Sequence, residues 1–262
     1  HMLMGVKTTC KKILLLAVTF VLAAALGACQ AGPTEKGAAN DGPYYTFTDA
    51  AGTDIVLQSK PQKVAVLFSS FADVWKTAGG TVSITVGESV ERGIAGADAL
   101  LVDAGAGKTI DTEQLIAAQP DFVIASADLA AQAEVAKLLN GNGIPCAVFH
   151  VESFDDYLAM LKVCTDITGD KQAYTTYGTE VQARIAAVKE AAAGKMAQAG
   201  RKDILFVRAG SSYSATKAKT AQDNFVCAML QELGTYNIAE KAPVLLDGLS
   251  FEEVLSSNPD YI

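Results

Sequence analysis

Apolar and polar residues alternate over 45–49 (YTFTD) and again over 54–58 (DIVLQ), on either side of Ala50-Ala51-Gly52, which predicts a β-hairpin. Short apolar runs follow at 64–68, 83–86, 121–125 and 147–149, separated by helix-period stretches such as 131–139. Strands alternating with helices predict a parallel sheet covered on both faces. From Ser153 the period becomes helical for about forty residues, interrupted at Thr168-Gly169-Asp170 and resumed through Tyr174, Tyr177, Val181, Ile185 and Val188. A strand-like run at 203–210 (DILFVRAG) then opens a second α/β unit, with a polar loop and a helix at 224–233 behind it.

One pattern occurs twice, as DTEQLIAAQPDFVI over 111–124 and as SFEEVLSSNPDYI over 250–262. Each copy reads as an N-cap (Asp111, Ser250), a short amphipathic helix, and Pro-Asp (Pro120-Asp121, Pro259-Asp260) opening a strand. Gln114 and Glu253 stand three residues after the cap, where a capping box reaches back, so Glu113 and Glu252 are free to face outward. The chain therefore reads as two similar halves. By analogy with the first half, which runs on to His150, the second lobe is expected to lack on the order of thirty residues or more, with exposed strand edges and apolar faces.

Lys7, Lys11 and Lys12 precede an apolar run over 13–26 that leads into Leu26-Gly27-Ala28-Cys29. This is the form of a secretory signal ending in a lipobox, with Cys29 as the acylated first residue of the mature chain; the alternative is an uncleaved anchor helix, and both put the remainder outside the cytoplasm. His1-Met2 ahead of Met4 resembles a cloning remnant, so His1 is set aside. The small, polar, Gly-rich stretch after Cys29 reads as a flexible tether, and the folded part is expected from about Tyr44. The organisation is thus a signal at 1–28, a lipidated tether at 29–43, an α/β lobe at 44–152, a helical linker at 153–198 and a second α/β lobe at 199–262.

Without the three signal lysines the chain carries eighteen Lys and Arg against twenty-nine Asp and Glu, a formal charge of −11, which excludes nucleic acid as a partner and suits a basic docking face. Beyond Cys10 and Cys29, the remaining cysteines Cys146, Cys164 and Cys227 are odd in number and show no CxxC spacing, so they read as buried thiols rather than disulfides or metal ligands. His150 is the only mature histidine, too few for a typical zinc or manganese site.

Taken in order, LGAC, YTFTDAAGTDIVLQSKPQKVAVL, DTEQLIAAQPDFVIASAD, SFDDYLAMLKVCTDITGDKQAY, LQELGTYNIAE and SFEEVLSSNPDYI resemble the solute-binding lipoproteins of ABC importers. The resemblance is to the ferric-siderophore, haem and cobalamin group, in which two Rossmann-like lobes are joined by one long helix. It implies an α/β fold of that kind with an incomplete second lobe, and a monomeric receptor, not an enzyme. Such a receptor is held at the membrane through Cys29, captures a metal chelate without a resident cofactor, and delivers it to permease transmembrane subunits. In that family a glutamate on each lobe docks onto arginines of the permease, and Glu113 and Glu252 hold the matching positions. The alternative is that each merely complements a helix macrodipole.

Open α/β sheets bind ligands beyond the carboxyl ends of their strands, and in two facing lobes those ends meet at a cleft. The candidates in the first lobe are Ser69, Ser70, Phe71, Glu88, Arg92, Ser126, Asp128 and His150, with Trp75 read as core. In the second lobe they are Arg208, Ser211, Ser212, Tyr213, Lys217 and Lys219. Arg208, Lys217, Lys219 and Tyr213 suit an anionic, partly aromatic ligand such as a ferric chelate. His150 has two readings, an axial ligand to haem iron or corrinoid cobalt, and a hydrogen-bonded structural residue.

Three other patterns compete. ALLVDAGAGKT resembles a strand and phosphate loop, but Val102 stands where the first glycine is needed. Ser214-Ala-Thr-Lys217 matches the S-x-x-K of penicillin-type serine acyl-enzymes, yet KTA at Lys219 and QDN at Gln222 are poor and crowded substitutes for KTG and SDN. An adhesion or structural lipoprotein on the same scaffold is the third, since fold does not fix function.

Overall fold

The computed structural model describes residues 42–103 and 109–262. The signal, Cys29 and the tether up to residue 41 lie outside the described residues, as does the loop of the phosphate-loop look-alike. Among the described residues no helix is long and apolar enough to cross a membrane.

The hairpin forms as read, β1 (Tyr45–Thr48) against β2 (Asp54–Leu57), turning through Gly52 at φ 77°. Behind it lies a parallel sheet of β3 (Val64–Val66), β4 (Ile84–Thr85), β5 (Leu100–Leu101), β6 (Phe122–Ser126) and β7 (Cys146–Phe149), in the order β5-β4-β3-β6-β7. Strands β3, β6 and β7 are buried along their whole length, and their side chains sort by the two-residue period of a strand. Val64, Val66, Phe122, Ile124, Ala147 and Phe149 point into one core; Ala65, Leu67, Val123, Ala125, Cys146 and Val148 point into the other. That is why these segments are apolar runs rather than alternating ones. Burial pushes the Cys146 and Cys164 thiols up to about 12, which makes them inert.

Four helices pack on this sheet: α1 (Ser69–Thr77), α2 (Gly87–Glu91), α3 (Thr112–Ala117) and α4 (Ala130–Gly141). Trp75 in α1 is core, edge-on to Phe122, with its indole nitrogen donating to the Thr81 carbonyl at 3.0 Å. Gly80 lies against that ring so closely that a Cβ there would come within 2.2 Å of it.

The linker stretch divides in two. Helix α5 (Phe154–Thr168) starts in a full capping box between Ser153 and Asp156 and ends at Gly169 with φ 87°. Its Met160, Leu161, Cys164 and Ile167 belong to the first lobe's core, so this half is built into that lobe. Asp170 then caps a second helical run, α6 (Lys171–Tyr174), a π-turn at Thr175–Thr179, and α7 (Glu180–Ala199). No residue of α7 is buried; Lys189 reaches Glu232 of the second lobe at 2.7 Å.

The run DILFVRAG, expected as one strand, splits. Strand β8 (Asp203–Ile204) pairs in parallel with β11 (Tyr236–Asn237), while β9 (Val207–Arg208) turns into an antiparallel pair with β10 (Lys217–Ala218). The rest of the lobe is α8 (Phe225–Glu232), α9 (Val244–Asp247) and α10 (Phe251–Ser257) around a small core of Leu205, Ala218, Ile238, Ala239 and Leu245.

The sequence repeat has a structural counterpart. Asp111 accepts from the Gln114 amide at 2.9 Å and Ser250 from the Glu253 amide at 3.2 Å, each capping its helix. Asp121 accepts from the amides of Gln62 at 2.6 Å and Lys63 at 2.9 Å, tying the entry of β6 to that of β3. Asp260 does the same in the second lobe, accepting from the Asp203 amide at 2.8 Å and bringing Tyr261 alongside Ile204 in parallel.

Candidate functional site

In the sheet order β5-β4-β3-β6-β7 the winding reverses between β3 and β6, and a crevice is expected at the carboxyl ends of those two strands. Two polar clusters stand there. On the β3 side, Arg92 donates to the Ser69 hydroxyl at 2.9 Å and to that of Ser70 at 3.5 Å, with the Glu88 carboxylate 3.9 Å away. Helix α1 opens at this corner from an extended Phe68 that supplies no side-chain cap, so its first amides add positive potential to that of Arg92.

Helix α2, which carries Glu88 and leads to Arg92, is held from beneath. The Gly87 amide donates to Asp103 at 2.9 Å, and Thr85 donates to the Val66 carbonyl and bonds the Ser89 hydroxyl, both at 2.8 Å. Asp103 is only 1% exposed, a buried carboxylate at the N-terminus of a helix.

On the other side of the crevice, His150 Nδ1 lies 2.6 Å from an Asp128 carboxylate oxygen and Nε2 lies 3.7 Å from Glu152. The hydrogen bond to Asp128 raises the imidazole pKa above its ordinary value, and the charges of Asp128, Glu152 and Asp156 add to the effect. Asp156 is lowered, chiefly because it accepts from the Glu152 amide. The Ser126 hydroxyl accepts from the Asp128 amide at 3.2 Å and so orients Asp128.

Between the clusters lies Gln132, which sequence reasoning missed. Its side chain is 6% exposed, accepts from the Ser126 amide at 2.8 Å and donates to the Leu67 carbonyl at 2.8 Å. The signal was legible: Gln132, Ala136 and Leu139 form the buried stripe of α4, and a glutamine on such a stripe needs partners.

In the second lobe, Arg208 and Lys217 are direct cross-strand partners, and neither has an ion pair among the described residues. Like charges so placed repel. Lys219 is different, paired with Asp223 at 2.9 Å. Tyr213 donates to the Leu249 carbonyl and stacks on Phe251 at 6.3 Å, next to Glu252. Ser211 and Ser212 are exposed; Ser214 bonds Ser212 and sits on a 3₁₀ turn, whereas Lys217 is on β10.

Phe71 is buried between Phe68 and Phe149, because the first turn of α1 directs it back onto the sheet rather than toward the crevice. Ser69 and Ser126 are buried as well, and their hydroxyls act on Arg92 and on the Asp128 amide. Glu113 and Glu252 are exposed, each in a helix's first turn and without an ion pair among the described residues. Helices of a parallel sheet run opposite to its strands, so Glu113 stands on the same carboxyl edge as the two clusters. Among the described residues no group of three or more His, Cys, Asp or Glu could hold a metal ion.

A family model described as periplasmic binding protein matches residues 64–262. No curated protein matches the chain. Among solved structures, the siderophore binding protein BauB, bound to two acinetobactin molecules and ferric iron, is 16% identical, with 82% of this chain and 74% of that one covered at a TM-score of 0.61. Staphylococcus aureus SirA with staphyloferrin B is 16% identical over 82% of this chain and 68% of that one, at 0.55. The heme binding protein HmuT is 19% identical over 88% and 75%, at 0.52. At these identities the likeness is one of fold.

Proposed function

The chain belongs to the periplasmic binding protein family, and from that membership we propose that it captures an iron-siderophore or a related anionic metal chelate between its lobes and delivers it to an ABC permease. The observation that carries this reading is the pair Arg208 and Lys217, two cations held face to face with no carboxylate ion-paired to either among the described residues, an arrangement an anionic ligand would relieve. Arg92 with Ser69 and Ser70 supplies a second anion-reading corner on the first lobe. The test is a fluorescence titration against ferric hydroxamates, ferric catecholates, a ferric polycarboxylate, haemin and cobalamin, with iron-free chelators as controls. Saturable binding of one ferric class, weakened about tenfold or more in Arg208→Ala, supports the reading. Absence of binding across the panel removes the iron-chelate assignment.

Haem or corrinoid is the second reading, favoured by His150. A histidine whose Nδ1 is held by a carboxylate presents Nε2 as a metal ligand in a fixed orientation. A shifted Soret band with haemin, lost in His150→Ala, would select it.

Delivery is assigned to Glu113 and Glu252 as acidic docking points, and attachment to the membrane to acylated Cys29. Charge reversal of both glutamates should abolish uptake while leaving ligand affinity unchanged, and Cys29→Ser should abolish labelling by a fatty-acid precursor. Such a receptor makes and breaks no covalent bonds, and Ser214 and Lys217 take no part as an acyl-enzyme pair.

A further inference from the structure

We propose that Gln132 is a wedge that holds the switch-point crevice open and so sets the spacing of the two ligand-reading clusters of the first lobe. The ladder between β3 and β6 breaks off at its carboxyl end. Their registers are Val64 to Phe122, Ala65 to Val123 and Val66 to Ile124, and one further bond follows, from the Leu67 amide to the Ile124 carbonyl at 2.9 Å. In a parallel ladder a residue that donates in this way next accepts from the neighbouring strand two residues on. That step would join the Ser126 amide to the Leu67 carbonyl. It is replaced by the Gln132 amide group, which takes the Ser126 N–H on its oxygen and gives its own N–H to Leu67, each at 2.8 Å. Two hydrogen bonds in series across an amide span more distance than one direct bond, so the strands part here. On its other side β6 stays paired to β7 as far as Ser126 and Phe149, with a following bond from the Ala127 amide to Phe149 at 2.8 Å. The separation is therefore local to the β3 side.

The two ends of the wedge lead directly to the clusters. Leu67 is two residues before Ser69, whose hydroxyl holds Arg92, and Ser126 carries the hydroxyl that orients Asp128, the partner of His150. Gln132 touches no ligand in this scheme; it is a positioning residue. A leucine would fill the same volume but could not occupy the ladder bond, which would allow Ser126 and Leu67 to pair directly and the crevice to narrow. Glutamate would accept from Ser126 but face the Leu67 carbonyl with a second acceptor, unless protonated, when it could donate as the glutamine does.

The inference rests on reading the carboxyl edge as the ligand site, and its test has one arm that does not. A crystal structure of Gln132→Leu should show the Ser126 amide bonded to the Leu67 carbonyl and the Ser69 and Asp128 positions drawn together; unchanged strand spacing overturns the wedge. In the second arm, the ferric probe that binds the parent protein is titrated against Gln132→Leu and Gln132→Glu. Loss of a charge-assisted contact from a displaced Arg92 predicts affinity down about tenfold. For Gln132→Glu the ratio to the parent should recover as pH falls and the glutamate protonates, a pH profile that a purely structural defect would not give. A crevice that narrows with affinity unchanged in both variants overturns the positioning role. Should no ferric probe bind the parent, the functional reading fails and the crystallographic arm still decides the wedge. Should Gln132→Leu not fold, the strand spacing is read in Gln132→Glu above and below its protonation, and spacing that ignores pH overturns the proposal.

Discussion

Gln119 and Asn258 occupy the same place in the two halves of the chain, each ending a short helix before Pro-Asp, and both adopt positive φ, 52° and 42°. A left-handed residue ends a helix by turning its last carbonyls toward new partners, and proline beyond it prevents continuation. Asparagine tolerates this conformation; glutamine does not, at a cost of roughly 1–2 kcal/mol. Gln119→Gly should therefore stabilise the protein by about 0.5–1 kcal/mol after the added entropy of the unfolded chain, while Asn258→Gly stays near neutral. Urea unfolding of both variants measures it, and equal effects would refute the assigned difference.

Asp121 and Asp260 perform the same clamp with unequal stakes. Asp121 accepts from two backbone amides at the mouth of a fully buried strand, Asp260 from one beside the exposed Tyr261. Asp121→Ala should cost about 2 kcal/mol and Asp260→Ala no more than about half that. Native-state hydrogen exchange at Gln62, Lys63 and Asp203 should accelerate only in the corresponding variant.

The pairing of His150 with Asp128 fixes a pH dependence. The folded-state pKa lies above the ordinary histidine value, so its stabilisation is fully present below the unfolded pKa, near 6.5, and is lost as pH rises through the folded pKa. The imidazole is exposed, so the effect on stability is small and the titration itself is the better readout. An NMR titration should place the His150 midpoint above 6.5, and Asp128→Asn should lower it. A midpoint unmoved by Asp128→Asn would remove the pair as the cause.

Arg208 and Lys217 predict a trade between stability and affinity. Removing one cation relieves repulsion across β9 and β10, so Lys217→Ala should raise the ligand-free protein's stability by about 0.2–1 kcal/mol while weakening an anionic chelate. The gain should shrink in high salt as the repulsion is screened. A variant that loses stability and binds the chelate unchanged would mean that the pair is neutralised in some other way.

The sequence by itself determined what depends on near neighbours along the chain. Caps at Asp111 and Ser250, the hairpin around Gly52, the break at Gly169 and the apolar runs of the first sheet all follow from local hydrogen-bonding and burial periods. The Pro-Asp repeat belongs here too, because each copy builds its own helix end and strand entry. Only the tertiary structure decided which strands became neighbours, and with that the switch point between β3 and β6, the seat of Gln132 between Ser126 and Leu67, the burial of Phe71, and the facing of Arg208 with Lys217. DILFVRAG reads as one strand because its period is continuous, yet it serves two sheets, since Ile204 and Val207 find different partners. Strand propensity is a local property, whereas pairing is settled by the free energy of contacts between segments far apart in sequence, which no local pattern encodes.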